Sequence, residues 1–364
     1  MKKCLSFISV AMLCAACSSK IEQPDPGKGL GEIYLTAPAG SRTVAVNLDG
    51  LWRVSAVEDW IGLDVNGREG NGAFTFSYTS NESDFSKVNP TRLGHIIIQS
   101  LGTMKADTLY LRQQGTPDGK EYESRNNSSY IEFVDAPLVR KTIIYADLDG
   151  ADDASQVSAW INGQEADVLA AVCPASLAEG LAVMYEGHSV RRGSLIVVCP
   201  ASVPEEVSST LSPESLTVRD GDVRYVVSDF GRTASASRYS QISTILADGY
   251  NAPLSTGKWI IGGTFWYYSA MESGYPMTPS WYPSDTSDPA FDADLYAWKN
   301  NLLDCVWMAS RDYTPTYTDG EERSWRPSYV YASTEAWNAV TSVEILDCPS
   351  GGMKHKPVKV TLKY

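Results

Sequence analysis

The chain has 364 residues, 43% of them hydrophobic, which is enough for two or three domains, each with its own core. Its formal charge is −14, from 30 basic against 44 acidic residues, and no basic stripe interrupts the acidity. That balance argues against binding nucleic acid through phosphate contacts and suits a soluble, self-repelling surface. Ten Trp and 20 Tyr make the chain rich in side chains that join an apolar body to a polar handle.

Residues 1–16 begin with Lys2 and Lys3 and continue through an apolar run to small residues, "MKKCLSFISVAMLCAA". This is the grammar of a secretion signal, too short for a membrane-spanning helix. Ala15 and Ala16 directly before Cys17 look like a bacterial lipobox, with Leu13 one place further out than the commonest pattern and Cys14 a weaker alternative. The resemblance to lipoproteins implies cleavage before Cys17, lipid on its thiol, and an extracytoplasmic product held to the membrane only by its anchor. Cleavage by an ordinary signal peptidase is the alternative. Residues 17–30, polar and rich in Pro and Gly, read as a flexible tether. Of the later cysteines, Cys173, Cys199, Cys305 and Cys348, none has zinc-ligand or CxxC spacing; a Cys305–Cys348 bridge and free buried thiols are both open.

Residues 31–115 carry the alternation of half-buried strands: "RTVAVNL", "LWRVSAV", "GAFTFSYTS", "RLGHIIIQS" and "DTLYLRQQG", separated by Gly, Asn and Asp turns. The pattern predicts a small all-β sandwich, with Trp52 and Trp60 supplying bulk to its core. A Trp-bearing strand, the second Trp, a Gly/Asn turn, Asn81, Arg92 opening a strand and a closing Gln113-x-Gly115 together resemble the BACON domain. That resemblance implies an immunoglobulin-like sandwich of the kind common in Bacteroidetes glycan-handling lipoproteins. A spacer is the expected role, with a lectin as the alternative.

Residues 116–137 are polar and contain Pro, and are predicted to be a linker. From Leu138 the grammar changes. "VRKTIIYADL", "ADVLAAVCP", "GSLIVVCP", "VRYVVSDF", "KWIIGGTF", "LLDCVWMA", "SYVYAS", "AVTSVEILD" and "VKVTLKY" read as strands, most of them continuously apolar. "DDASQVSAWINGQ" and "SRYSQISTILADGY" read as helices, the first with Val157, Trp160 and Ile161 on one face. Apolar strands mixed with a few helices predict a layered α/β sandwich over 138–364. The acids of "DLDGADD" (Asp147, Asp149, Asp152, Asp153) fail the spacing of a calcium loop and are expected to be solvated and to cap the helix that follows.

In order and in framing residues this C-terminal region resembles the endonuclease/exonuclease/phosphatase superfamily of four-layer, DNase I-like α/β sandwiches. The resemblance implies a divalent metal held by hard oxygen ligands, a His–Asp pair that activates water, and phosphate-binding donors, all at one sheet edge. The frame is kept here: Gly263 and Phe265 of "GGTF", the Thr-bearing "YTPTY", Arg326, Tyr329 and Tyr331 of "RPSYVYAS", and His355 before a Pro-Val strand. The chemistry is not. At the expected metal Glu stands Cys173, at the phosphate His stands Asp229, at Asp and Asn stand Thr264 and Trp266, at a later Asp stands Ser328, and before His355 stands Lys354. The first segment offers Ala146 and Asp147 in place of its Asn.

His355 is thus expected as a solvent-facing turn residue without a carboxylate partner, and an ammonium at Lys354 opposes a cation. The reading is a pseudoenzyme with no resident cofactor or metal site. Its cleft would be lined by Trp266, Tyr267, Tyr268 and Trp281, with Arg326 nearby, and would take a glycan or a protein at the outer-membrane surface. These rings filling core volume is the plainer alternative. A divergent Mg²⁺- or Mn²⁺-dependent phosphodiesterase or phosphatase is the other, with His355 as base and ligands drawn from Asp147, Asp149, Asp167 or Asp229. Serine or cysteine nucleophilic catalysis has no support: there is no Gly-x-Ser-x-Gly elbow, and Cys173 and Cys199 lie in apolar strands.

Overall fold

The computed structural model describes residues 29–84, 87–135, 138–207, 215–229, 257–264, 302–310, 315–318, 324–325, 328–349 and 353–364. The signal segment, Cys17, tether residues 18–28, the helix expected at 237–250, and Phe265, Trp266, Tyr267, Tyr268, Trp281 and Arg326 lie outside these residues, while Leu30, expected to end the tether, is instead buried in the N-terminal core.

The N-terminal strands are β1 (Gly31–Leu35), β2 (Gly40–Val46), β3 (Leu51–Ala56), β4 (Ile61–Leu63), β5 (Gly67–Glu69), β6 (Gly72–Tyr78), β7 (Arg92–Ser100), β8 (Ala106–Gln113), β9 (Arg125–Asn126) and β10 (Ile131–Phe133). They form one sheet in the order β5-β3-β7-β8-β1-β9 and a second in the order β10-β2-β6-β4. Period-two alternation puts one face of each sheet into a shared core: Leu35, Trp52, Val54, Ile96, Ile98, Leu109 and Leu111 meet Val44, Val46, Phe74, Phe76 and Tyr78. Trp52 is fully buried. Trp60 is half-buried and packs against the edge of this core, with the Arg92 guanidinium 4.3 Å over its ring.

Asn81, Arg92 and Gln113, singled out in the sequence, act as a polar staple. Asn81 Nδ2 donates to the carbonyls of Pro90 and Gln114, both at 2.9 Å. Arg92 Nε donates to Gln113 Oε1 at 2.8 Å, and Gln113 Nε2 donates to the carbonyls of Thr36, Ala37 and Thr79. These bonds satisfy backbone groups where the strands end, which a small sandwich must do once water is excluded.

Residues 116–135 of the segment expected as a linker, 116–137, are instead built into this unit. β9 pairs antiparallel with β1, and β10 with β2. Between them and β8 the chain forms a strap in which Tyr122 stacks on Tyr34 at 6.1 Å. Its polarity is that of edge strands and turns rather than of free chain.

The C-terminal unit contains β11 (Arg140–Asp147), α1 (Ala154–Gly163), β12 (Val168–Val172), α2 (Ala175–Met184), β13 (Ser189–Arg192), β14 (Leu195–Val198), β15 (Glu205–Glu206), β16 (Ser215–Asp220), β17 (Val223–Asp229), β18 (Lys258–Thr264), β19 (Leu302–Asp304), α3 (Cys305–Ser310), β20 (Tyr317–Thr318), β21 (Ser324–Trp325), β22 (Ser328–Ser333), α4 (Thr334–Trp337), β23 (Val340–Ile345) and β24 (Val358–Lys363). Two sheets face each other, one in the order β13-β14-β12-β11-β24-β23 and one in the order β15-β16-β17-β18-β22-β19. Ile143, Tyr145, Val358 and Val360 from the first meet Tyr225, Val227, Ile260, Val330 and Ala332 from the second. The opposite face of the first sheet, with Ile144, Ala146, Leu169 and Ile196, packs under α1 and α2. Burial on both faces explains the uninterrupted apolar runs. The described residues thus form helix, sheet and sheet layers, mostly β.

Asp153 caps α1 by accepting from the amides of Ser155 and Gln156, as the acids of that loop predict. Two local readings change. α2 was not legible as a helix, although Leu177, Ala178 and Leu181 share its buried face. "LLDCVWMA" is a short strand that turns into α3 at Cys305, where Asp304 Oδ1 accepts from the amides of Val306 and Trp307. Cys173, Cys199, Cys305 and Cys348 are free thiols, so the Cys305–Cys348 bridge is not formed.

Candidate functional site

The two glycines of "GGTF" set the spacing of the sheets. A Cβ on Gly262 would stand 2.1 Å from the ring of Tyr145, and Gly263 has φ +147 with a would-be Cβ 2.0 Å from the Ser228 carbonyl. Without these side chains Tyr145 crosses the core and its hydroxyl donates to the Ile260 carbonyl at 2.7 Å. β11 and β18 are held face to face, and the residues that end them, Asp147 and Thr264, meet.

Thr264 Oγ1 donates to Asp147 Oδ2 at 2.7 Å, and the Asp149 amide donates to Oδ1 at 3.0 Å. His355 Nε2 lies 3.5 Å from the same Oδ2, and His355 Nδ1 lies 3.3 Å from Ser328 Oγ. Asp229, Thr264 and Ser328 are in direct register across β17, β18 and β22, so they share the face that looks at Asp147. Several of the strand ends singled out in the sequence therefore do converge at one edge.

The expectation for His355 is overturned. It is 3% exposed, not a surface turn residue, and its carboxylate partner is Asp147, 8% exposed. The partner comes from the first strand of the unit, not from the residue before it. Lys354 and Lys356 point to solvent, as alternation around a buried His355 requires, so no ammonium enters the cluster from that turn. The His355 ring packs on Tyr317 at 4.5 Å, its backbone bridges to Tyr317, and its carbonyl accepts from Cys348 Sγ at 3.3 Å. The Lys356 amide donates to the Thr316 carbonyl at 2.6 Å, so Thr316 and Tyr317 clasp the histidine from outside. Buried ionisable groups are costly, and burial holds the Asp147 carboxyl above the usual carboxylate range while the Thr264 and Asp149 bonds pull it back.

The other acids do not gather in the same way. Asp167 accepts from the Thr142 amide at 2.7 Å, at the opposite end of the sheet. Asp149 is exposed. Asp229 is half-buried, one strand beyond Thr264. Cys173 belongs to the core under α2, on the far face of its sheet. Burial pushes its thiol up to about 12, with the Asp147 charge adding to the rise. Such a thiol is a poor metal ligand, because the ligating form is the thiolate.

A divalent cation of the Mg²⁺ type takes several carboxylate, carbonyl or water oxygens. Here the buried carboxylate that the described residues bring to the edge, Asp147, spends both oxygens on Thr264, Asp149 and His355. Among the described residues no group of three or more His, Cys, Asp or Glu side chains is placed to hold a metal ion. These residues do not fit the cation that the family resemblance implies.

No family model matches the chain, and no curated protein matches it. Solved structures similar to it are enzymes of the endonuclease/exonuclease/phosphatase (DNase I-like) group, and the likeness is partial. A humanized TDP2 of D. rerio is 15% identical, with a TM-score of 0.43, over 61% of this chain and 98% of that one. The 3'-5' exonuclease NExo of Neisseria meningitidis is 14% identical, with a TM-score of 0.47, over 61% and 100%. An AP endonuclease of Archaeoglobus fulgidus is 12% identical, with a TM-score of 0.45, over 61% and 99%.

Proposed function

We propose that this protein is a non-catalytic, lipid-anchored binding protein of the outer-membrane surface, a pseudoenzyme on a phosphoesterase-like scaffold. The observation that carries the reading is the closure around His355. Both ring nitrogens lie against protein partners, Asp147 and Ser328, and Tyr317 covers the ring of a residue only 3% exposed. A general base must reach the proton it removes, and this imidazole faces protein instead of substrate. Thr264, Ser328 and Asp147 form a polar plug between the sheets.

In this reading recognition is by the aromatic side chains expected to line the cleft. Trp266, Tyr267, Tyr268 and Trp281, with Arg326, supply π faces for sugar C–H groups and donors for hydroxyls; the ligand is a glycan or a surface protein. Cys17 carries the lipid, and the immunoglobulin-like N-terminal unit stands between anchor and recognition unit. The formal charge of −14 argues against a nucleic-acid ligand.

One observation favours a second reading, a divergent Mg²⁺- or Mn²⁺-dependent phosphoesterase: the Asp147–His355 pair is the kind of dyad that activates water, with Asp229 along the same row. Titrating Mg²⁺, Mn²⁺ and Ca²⁺ into the full chain by calorimetry, with a bis(p-nitrophenyl) phosphate turnover assay on the same sample, separates the two. The first reading expects neither metal binding nor turnover, and glycan-array binding weakened by Trp266→Ala. Micromolar metal binding with turnover abolished by His355→Ala would sink it.

A further inference from the structure

Strand β11 has a second polar end, opposite the Asp147 edge. There Lys363, 5% exposed at the end of β24, donates from Nζ to the Tyr122 carbonyl at 2.7 Å and lies 5.7 Å over the ring of Tyr34. Tyr34 stacks on Tyr122, and the Arg112 guanidinium covers Tyr122 at 4.3 Å while bonding Glu32 at 2.6 Å. The Tyr34 hydroxyl donates to Gln114 Oε1 at 2.7 Å, and Gln114 Nε2 donates to the carbonyl of Val340 in the other unit. Asn338 Nδ2 donates to Glu82 Oε1 at 3.1 Å, and Arg140 donates to Glu121 at 3.0 Å. Every one of these groups comes from the N-terminal unit or its strap on one side and from β11, β23, β24 or the cap residue after α4 on the other.

Such contacts differ from those of a loose spacer. A buried ammonium is tolerable only with its partners in place, so separating the units strands Lys363 and the Gln114–Tyr34 pair together. The placement also has a direction. β1 starts at Gly31, next to the tether, and runs towards Tyr34 and Leu35 at the junction. β11 starts at Arg140 at the junction and runs to Asp147, about 23 Å away at about 3.3 Å per residue.

We propose that the N-terminal unit is a rigid strut: the Lys363–Tyr34–Tyr122–Gln114 clamp locks it to the junction end of β11 and β24, so that Gly31, where its first strand begins, and the Asp147–His355 edge lie at opposite ends of the two described units. The direction relative to a membrane rests on the lipid-anchor reading above; the rigidity does not.

The test is the distance distribution between spin labels on Thr103→Cys and Glu186→Cys, both exposed positions, in the full chain carrying Cys348→Ser. It is paired with calorimetric melting of the unlabelled chain. The strut expects one narrow distance and one melting transition. It also expects the double variant Gln114→Ala and Lys363→Ala to broaden the distance severalfold and split the melt into two. Should that variant fail to fold, Asn338→Ala at the rim of the same junction is expected to broaden the distance to a smaller extent. A broad distribution or two transitions in the parent chain, or a clamp variant as narrow as the parent, overturns the proposal. None of these readouts involves ligand or turnover, so an active enzyme with a narrow distance would leave the strut standing while removing the binding-protein reading.

Discussion

The two ends of β11 bury polar groups in different ways. At the junction end, charge is met mostly by backbone carbonyls and aromatic faces brought from another unit, as with Lys363 between Tyr122 and Tyr34. At the other end a carboxylate and an imidazole meet each other, with hydroxyls filling in from β18 and β22. The first arrangement needs two units to exist and holds them together. The second is closed within one unit and stiffens the edge where its sheets approach. Buried polar groups are tolerated when satisfied, and the difference lies in what their loss would release: a joint in one case, a single charge in the other.

The largest effect should come from stranding that charge. His355→Ala leaves Asp147 buried beside a hole, and urea unfolding is expected to show a loss of about 3–5 kcal/mol. Combining it with Asp147→Asn should recover part of that loss, and additive effects would show that the pair is not coupled. At the junction, Gln114→Ala orphans the Tyr34 hydroxyl and the Val340 carbonyl, an expected cost of about 1–3 kcal/mol. A loss under half a unit would make the two ends of β11 alike in nothing but burial.

Thr264→Val removes one donor from the Asp147 carboxylate while keeping the shape, and about 1–2 kcal/mol should be lost. With that donor gone the carboxyl should protonate more readily. The sign for Asp147 is that of a raised acid: its burial penalty is absent below the unfolded value and grows as pH rises towards the folded one. Replacing it by Asn should therefore flatten the wild-type decline in stability above about pH 4.

At neutral pH the smallest expected effect is in the thiols, which act on stability only where the unfolded chain ionises them. Burial pushes Cys173 and Cys199 from 9.0 to about 12 in the folded protein, so only the unfolded chain ionises them between those values. Stability should fall from pH 9 towards pH 12, by at most about 1.4 kcal/mol per pH unit for each thiol. Cys199→Ala should shallow that slope, and a thiol reagent should find both cysteines inert until unfolding.

Much of the fold was legible because burial pattern is a local property. The alternation in "GAFTFSYTS" and the unbroken apolar run in "KWIIGGTF" each report how many faces of a strand are covered, and both strands form where that reading puts them. α2 escaped because Leu177, Ala178 and Leu181 give too short a period to separate a helix from a loop. The strap at 116–135 escaped because its pairing partners, β1 and β2, lie many residues away. In the site, the positions Asp147, Thr264, Ser328 and His355 were all marked in advance, yet their roles were misjudged. The residue directly before His355 is Lys354, while its carboxylate partner lies more than two hundred residues away in sequence.

The sequence by itself determined most of the strands and where the grammar shifts from one unit to the next. Composition and periodicity are enough for those. Only the tertiary structure decided that Asp147 faces His355, that Lys354 turns away, and that the polar strap belongs to the sandwich. Side-chain partnership between distant strands depends on register and sheet spacing, here fixed by Tyr145 lying on Gly262, and no local pattern encodes that approach.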